Sequence, residues 1–223
     1  MNNPLNLIDP DGQKWEFADE NLRKAFEEAV KAKGEKAWKA YQAIENAKGV
    51  IKVGFGKLDE NRFGDTRNIE ISWDAKGNLT KVSGSIVINN DPKSLDISNF
   101  TDLVSATAHE YNHVLTVLAK NKLYGGLAPA DPRTEQDIKD GKASFAVENA
   151  AFEAQVNAEK ASVAKGNKPV SPDTSLGRAN KEFSEAKTPA ERYDRLSGYG
   201  YKFKEAKPSA LPADQPSKIK KKL

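Results

Sequence analysis

Apolar residues in the first part of the chain recur at helical spacing, and later ones alternate. From Asp19 onward, Leu22, Ala25, Phe26 and Val30 fall on one face, and after Gly34 the pattern resumes with Ala37, Trp38, Tyr41 and Ile44. Two helices are predicted there, with their aromatics in the core. Gly49 ends the pattern, and residues 50–55 read as a strand. Residues 61–67 read as a polar loop. Residues 68–73 alternate cleanly and are expected to pair with 82–88 through a turn over 74–78. Asp91-Pro92 closes that strand.

A longer helical run follows, through Phe100, Leu103, Val104, Ala106, Ala108, Val114, Leu115, Val117 and Leu118. Ser98 is its expected N-cap, and it should run to about Asn121, before Gly125-Gly126. Residues 127–140, with Pro129 and Pro132, read as a loop holding at most a short helix. Ser144 is expected to cap another long helix, running to Ala164 and stopping at Gly166-Asn167. Two shorter helices are expected over 175–186 and 189–196. Beyond Lys204, three prolines and then Lys218, Lys220, Lys221 and Lys222 describe a disordered basic tail, residues 205–223. The fold class is therefore α+β, mainly helical, with a small antiparallel sheet before the helix over 98–121.

Composition narrows the partners. A formal charge of +3 is too slight to imply nucleic acid, and no continuous basic face precedes the tail. The absence of cysteine excludes disulfides and thiolate metal sites. No apolar run approaches a membrane span, and the N-terminus lacks a signal peptide's basic and apolar regions. A chain of 223 residues is long enough for a substantial core.

The chemistry is concentrated in the long helical run, at His109-Glu110-Tyr111-Asn112-His113. These are the chain's only two histidines. Four residues apart on a helix they share a face, so both imidazoles can reach one ion. Glu110 then points toward the ion's open side. This is the H-E-x-x-H arrangement of zinc hydrolases, with His109 and His113 as ligands, a zinc-bound water as nucleophile and Glu110 as general base. Buried in an apolar run without a partner, these three groups would be costly. Helices, a small sheet and then the motif helix are also the order found at the front of many zincins.

Zinc in a hydrolase usually takes three protein ligands. With no third histidine, the remaining ligand must be a carboxylate, and the helix starting at Ser144 supplies Glu148, Glu153 and Glu159. On a helical projection, Phe145, Phe152, Val156 and Val163 form its apolar stripe. Glu148 and Glu159 border that stripe, Glu148 nearer the helix start, and Glu153 lies round the other side. The string Glu148-Asn149-Ala150-Ala151-Phe152-Glu153-Ala154-Gln155 resembles the E-x-x-A-[FY]-x-x-Q string after H-E-x-x-H in small bacterial gluzincins and effector metallopeptidases. That resemblance implies Glu148 as the third ligand. An oxyanion partner is needed too, and Tyr193, Tyr199 and Tyr201 are candidates without a motif.

A second resemblance lies at the N-terminus. Asn2-Asn3-Pro4-Leu5-Asn6, followed by Asp9-Pro10-Asp11-Gly12, closely resembles the core end of RHS-repeat proteins. In that family a variable C-terminal domain follows directly, very often a toxin. The resemblance covers residues 2–12. It implies that residues 1–13 are the remnant of an RHS core, with Met1 an introduced start, and that residues 14–204 are a zincin-like toxin domain. Asp9 and Gly12 match the second of the family's two self-cleavage motifs; the first is absent, and Gln13 stands where leucine often follows. Self-cleavage by this chain alone is not expected.

Three readings follow. The first is a zinc metallopeptidase acting on protein or peptide as the toxic tip of an RHS protein, secreted or delivered into a target cell. An immunity protein and an enclosing RHS shell would be its partners. The second is a zinc-dependent amidase or deamidase toxin. The third is a non-catalytic binding module with an incidental motif; the intact Glu110 argues against it, since a site without catalysis needs no base.

Overall fold

Asp19 opens the first helix as a cap, its carboxylate accepting from the Leu22 backbone N–H at 2.7 Å. In the computed structural model, which describes residues 15–209, helix α1 (Glu20–Ala32) buries Leu22, Ala25, Phe26, Ala29 and Val30. That is the face predicted by spacing. Gly34, at φ +103°, makes the left-handed step into α2 (Glu35–Glu45). Before α1 stands a three-residue strand, β1 (Trp15–Phe17), and after α2 comes β2 (Ile51–Gly56). The helices thus form the crossover that parallel pairing of β1 and β2 requires. A hairpin of β3 (Gly64–Trp73) and β4 (Leu79–Asn89) follows.

The strand order is β1-β2-β4-β3. β2 pairs with β4 in parallel, and only β3 and β4 are antiparallel. The sheet is therefore mixed, not antiparallel as the sequence suggested. Two pairings were not visible: β1, at three residues, is too short to show alternation, and β2 pairs with β4 rather than with its neighbour in the chain, β3. The strand expected over 68–73 also begins earlier, at Gly64. A register shift between Arg67 and Glu70, with Asn68 at φ +52°, breaks the alternation there and makes its first half resemble a loop. The α+β class stands.

Helix α3 (Phe100–Leu118) carries the motif, and a short α4 (Glu135–Lys139) lies in the expected loop. Helix α5 (Phe145–Ala164) follows Ser144, as expected, and then come α6 (Ser175–Glu185) and α7 (Pro189–Gly198). Helix α3 is packed upon by α1, α5 and β3 at once, so all but a few of its residues are buried. One side meets an aromatic cluster in which Trp15, Phe26, Tyr41 and Tyr111 lie ring to ring. Tyr111, from the middle of the motif, donates its hydroxyl to Ala37 O at 2.8 Å and so ties α3 to α2.

The start of α5 is held from the C-terminal side. Glu205 accepts from Ser144 Oγ at 2.9 Å and from the Phe145 backbone N–H at 3.0 Å. Ala143 and Phe203 form a bridge beside it. Glu205 thus belongs to the folded body, although the tail was expected to start there. The RHS-like residues 2–12 and the tail residues Lys218, Lys220, Lys221 and Lys222 lie outside the described residues. Among the described residues, no helix is long and apolar enough to cross a membrane.

Candidate metal centre

Asn99, one residue later than the expected Ser98, caps α3; its side chain accepts from Thr101 N at 3.1 Å. Ser98 is occupied instead with Asp96, donating its hydroxyl at 2.7 Å. From this start, His109 and His113 fall on one face, with ring centroids 5.0 Å apart. Their face is turned toward α5, and the His109 ring meets the Phe152 ring edge-on at 4.9 Å.

Glu148, in the first turn of α5, completes a convergence. Its Oε2 lies 3.6 Å from His109 Nε2 and 3.8 Å from His113 Nε2. Ligand atoms about 2.0–2.2 Å from one tetrahedral zinc ion lie roughly this far from each other. Glu148 Oε2 is also buried with no hydrogen-bond partner, an arrangement that costs free energy unless a cation or proton occupies it. The donor set, two imidazoles and one carboxylate, suits zinc.

Glu110 is near enough to count as a ligand too: one donor atom each from His109, Glu110 and His113 lie within 4.8 Å of one another, and the cluster can hold a metal ion. Two observations separate the carboxylates. Glu110 is already committed, since Thr66 Oγ1 donates to its Oε2 at 2.7 Å, whereas Glu148 Oε2 has no hydrogen-bond partner and lies close to both rings. The other α5 candidates point elsewhere. Glu153 is exposed and paired with Arg192. Glu159 accepts from Asn180 Nδ2 at 2.6 Å.

The electrostatics are those of a tightly coupled cluster. Burial by itself would lower the His109 pKa, but the adjacent Glu148 carboxylate and the charge of Glu110 carry it above its ordinary value. Burial would raise Glu148, yet the two histidines, with Arg133 behind them, hold it below the ordinary carboxylate range. Arg133 is itself fixed by Asp131, with contacts of 2.6 to 3.0 Å, and donates to Lys142 O at 3.1 Å.

The site opens into a groove of about 740 Å³, walled by β3, the loop before it, α4 and the segment around Tyr201. Of the three tyrosines, the structure brings Tyr201 to the charges of the site. Burial first, then the nearby negative charges of Glu148 and Glu110, raise its pKa well above the ordinary phenol value, so it keeps its proton. Tyr199 also lines the groove, its pKa pushed up to about 12 by burial and by Glu182. Tyr193 is a packing residue, between Phe145 and Phe203, with its hydroxyl on Glu205 O at 3.2 Å.

Sequence reasoning missed Thr66, Gly64 and Arg133. The first two lay in the stretch read as loop, and Arg133 lay directly after Pro132 with no pattern around it. A Cβ on Gly64 would come within 2.5 Å of Glu110 Cγ, so only glycine leaves this carboxylate side chain its room. No protein-family model, curated protein or solved structure matches the chain.

Proposed function

We propose that the chain is a zinc metallopeptidase with a zincin-like arrangement, the toxin domain of an RHS polypeptide delivered into a target cell. The observation that carries the catalytic reading is the convergence of His109 Nε2, His113 Nε2 and the unpartnered, buried Glu148 Oε2, beside a separate carboxylate, Glu110, that is positioned by Thr66. Zinc held by those three residues would supply Lewis acidity toward a water molecule and a substrate carbonyl. Glu110 takes the proton from water as it adds to the carbonyl carbon, and returns it to the leaving amine. Oε2 is engaged by Thr66, which leaves Oε1, beside Gly64, as the basic atom. Tyr201, which lines the groove and keeps its proton, would serve as the donor to the developing oxyanion.

A peptide substrate is favoured by β3. Among the described residues this strand pairs with β4 alone, and its Gly64, Asp65 and Thr66 line the groove beside Glu110. An extended chain can add to such an edge through backbone hydrogen bonds, which a small amide cannot exploit. The RHS assignment is supported by residues 2–12 alone. The test is zinc content and cleavage of an unstructured protein such as casein by the parent and by Glu110→Gln. The variant is expected to keep zinc and lose activity by about 10²-fold or more. Equal turnover by both would remove Glu110 from the mechanism, and a parent without bound metal would remove the hydrolase.

A further inference from the structure

Helix α5 presents three residues to the His109 side of α3 in succession: Glu148, Phe152 and Gln155. The first approaches His109 Nε2, and the second packs on the ring. Gln155 is fully buried, and its backbone oxygen accepts from Ser105 Oγ at 3.3 Å, one helical turn before His109. Besides Glu148 Oε2, two buried side-chain atoms in this region lack hydrogen-bond partners, His109 Nδ1 and Gln155 Oε1. One can carry a proton and the other can only accept, so each is the natural complement of the other.

The orientation of the Gln155 amide is fixed from outside, and the argument starts at a charge. Glu159 is an acceptor only, so the Asn180 nitrogen must face it, and Asn180 Nδ2 donates to Glu159 Oε2 at 2.6 Å. The same nitrogen donates to Ser105 Oγ at 2.9 Å. Asn180 Oδ1 is thereby turned the other way and accepts from Gln155 Nε2. Gln155 Oε1 is what remains, and like His109 Nδ1 it is buried with no other partner.

We infer that Gln155 is a positioning residue for the metal centre, whose amide, polarised by the relay Glu159–Asn180–Gln155, holds the His109 proton on Nδ1 and keeps the Nε2 lone pair free. The inference rests on the metal-site reading for its consequence, ligand strength, but not for the relay itself. Outer partners of this kind fix a ligating imidazole's tautomer and ring angle, and their removal weakens metal binding by about 10–100-fold. Glu159, which sequence left open as a ligand, thus acts at one remove.

Two measurements test it. In a metal-free Glu148→Ala background, Nε2 has lost its carboxylate, and nitrogen-15 NMR of the neutral ring reports Gln155 alone. Nδ1 is expected to be protonated there, and bare in a substantial population once Gln155→Leu is added. With Glu148 intact, chelator competition should show zinc binding weakened by about 10–100-fold in Gln155→Leu. If Gln155→Leu does not fold, Asn180→Ala, which frees the Gln155 amide to rotate, is expected to shift both readouts the same way. A bare Nδ1 in the Glu148→Ala protein overturns the relay, as does a folded Gln155→Leu with parental zinc affinity. A parent that binds no zinc, but whose Glu148→Ala form carries the proton on Nδ1, keeps the relay and removes only the metal reading.

Discussion

At the scale of single residues, the three carboxylates of α5 show how environment assigns roles to one side-chain type. Glu148 is buried, bare and aimed between two imidazoles; Glu153 is exposed on Arg192; Glu159 anchors an amide. Glu148→Ala is expected to weaken zinc binding far more than Glu153→Ala, with Glu159→Ala in between through the relay to His109. Dissociation constants by chelator competition would check the order, and a Glu153→Ala protein that binds worst would contradict it. Asp102, wholly buried at the start of α3, offers a second residue-scale prediction. Burial pushes its carboxyl up to about 6, against the backbone N–H groups of Asp96 and Ser171, while the Asp96 charge pushes it further up. A carboxyl with a raised folded-state pKa holds its proton better folded than unfolded. Its contribution is therefore fully present below about pH 4 and lost as pH rises through about 6, amounting to about 3 kcal/mol. Urea unfolding of the parent and Asp102→Asn across that window measures it. The parent's stability relative to the variant is expected to fall with rising pH, and a constant difference would show that Asp102 is not the titrating group.

At the scale of elements, β3 connects the sheet to the chemistry. Its first residues run past Glu110, with Gly64 leaving the carboxylate space and Thr66 bonding it. In Gly64→Ala, the neighbour that must move is the flexible Glu110 side chain, not backbone, so the fold is expected to survive with the base displaced. Peptidase kcat is expected to drop by about 10-fold or more, since displacements on the order of 1 Å at a reacting group are felt strongly, while zinc content and melting temperature stay near parental. Thr66→Val is expected to behave alike, and Thr66→Ser to restore the rate. A Gly64→Ala enzyme at parental kcat would show that the cradle is not needed.

At the scale of the whole molecule, the prediction concerns biology. A polypeptide that carries its own intact protease endangers its producer, which is why an immunity partner and an enclosing shell belong to the proposal. Inducible expression of the parent and of Glu110→Gln, in the cytoplasm and separately with an export signal, is expected to arrest growth only with the parent. The compartment in which it does so locates the substrate. Equal toxicity of the two proteins would point to harm by binding, with the metal site incidental.

Spacing and residue type alone determined the helices, the β3–β4 hairpin, the pairing of His109 with His113 and the candidacy of Glu148. These are local or periodic properties: a turn of helix brings residues four apart together whatever surrounds it. The tertiary structure decided the rest. The parallel pairing of β2 with β1 and β4 depends on strands far apart in the chain, one of only three residues. Gly64 and Thr66 reach Glu110 only because an irregular edge strand crosses α3, and Tyr201 reaches the site only because Glu205 fastens the C-terminal segment over the start of α5. That Glu148 meets the two histidines while Glu159 meets Asn180 required α5 to be set at one rotation against α3, fixed by packing at Phe152 and by the bond from Ser105 to Gln155. Periodicity specifies which face of a helix is apolar, but only contact with another element specifies what that face meets.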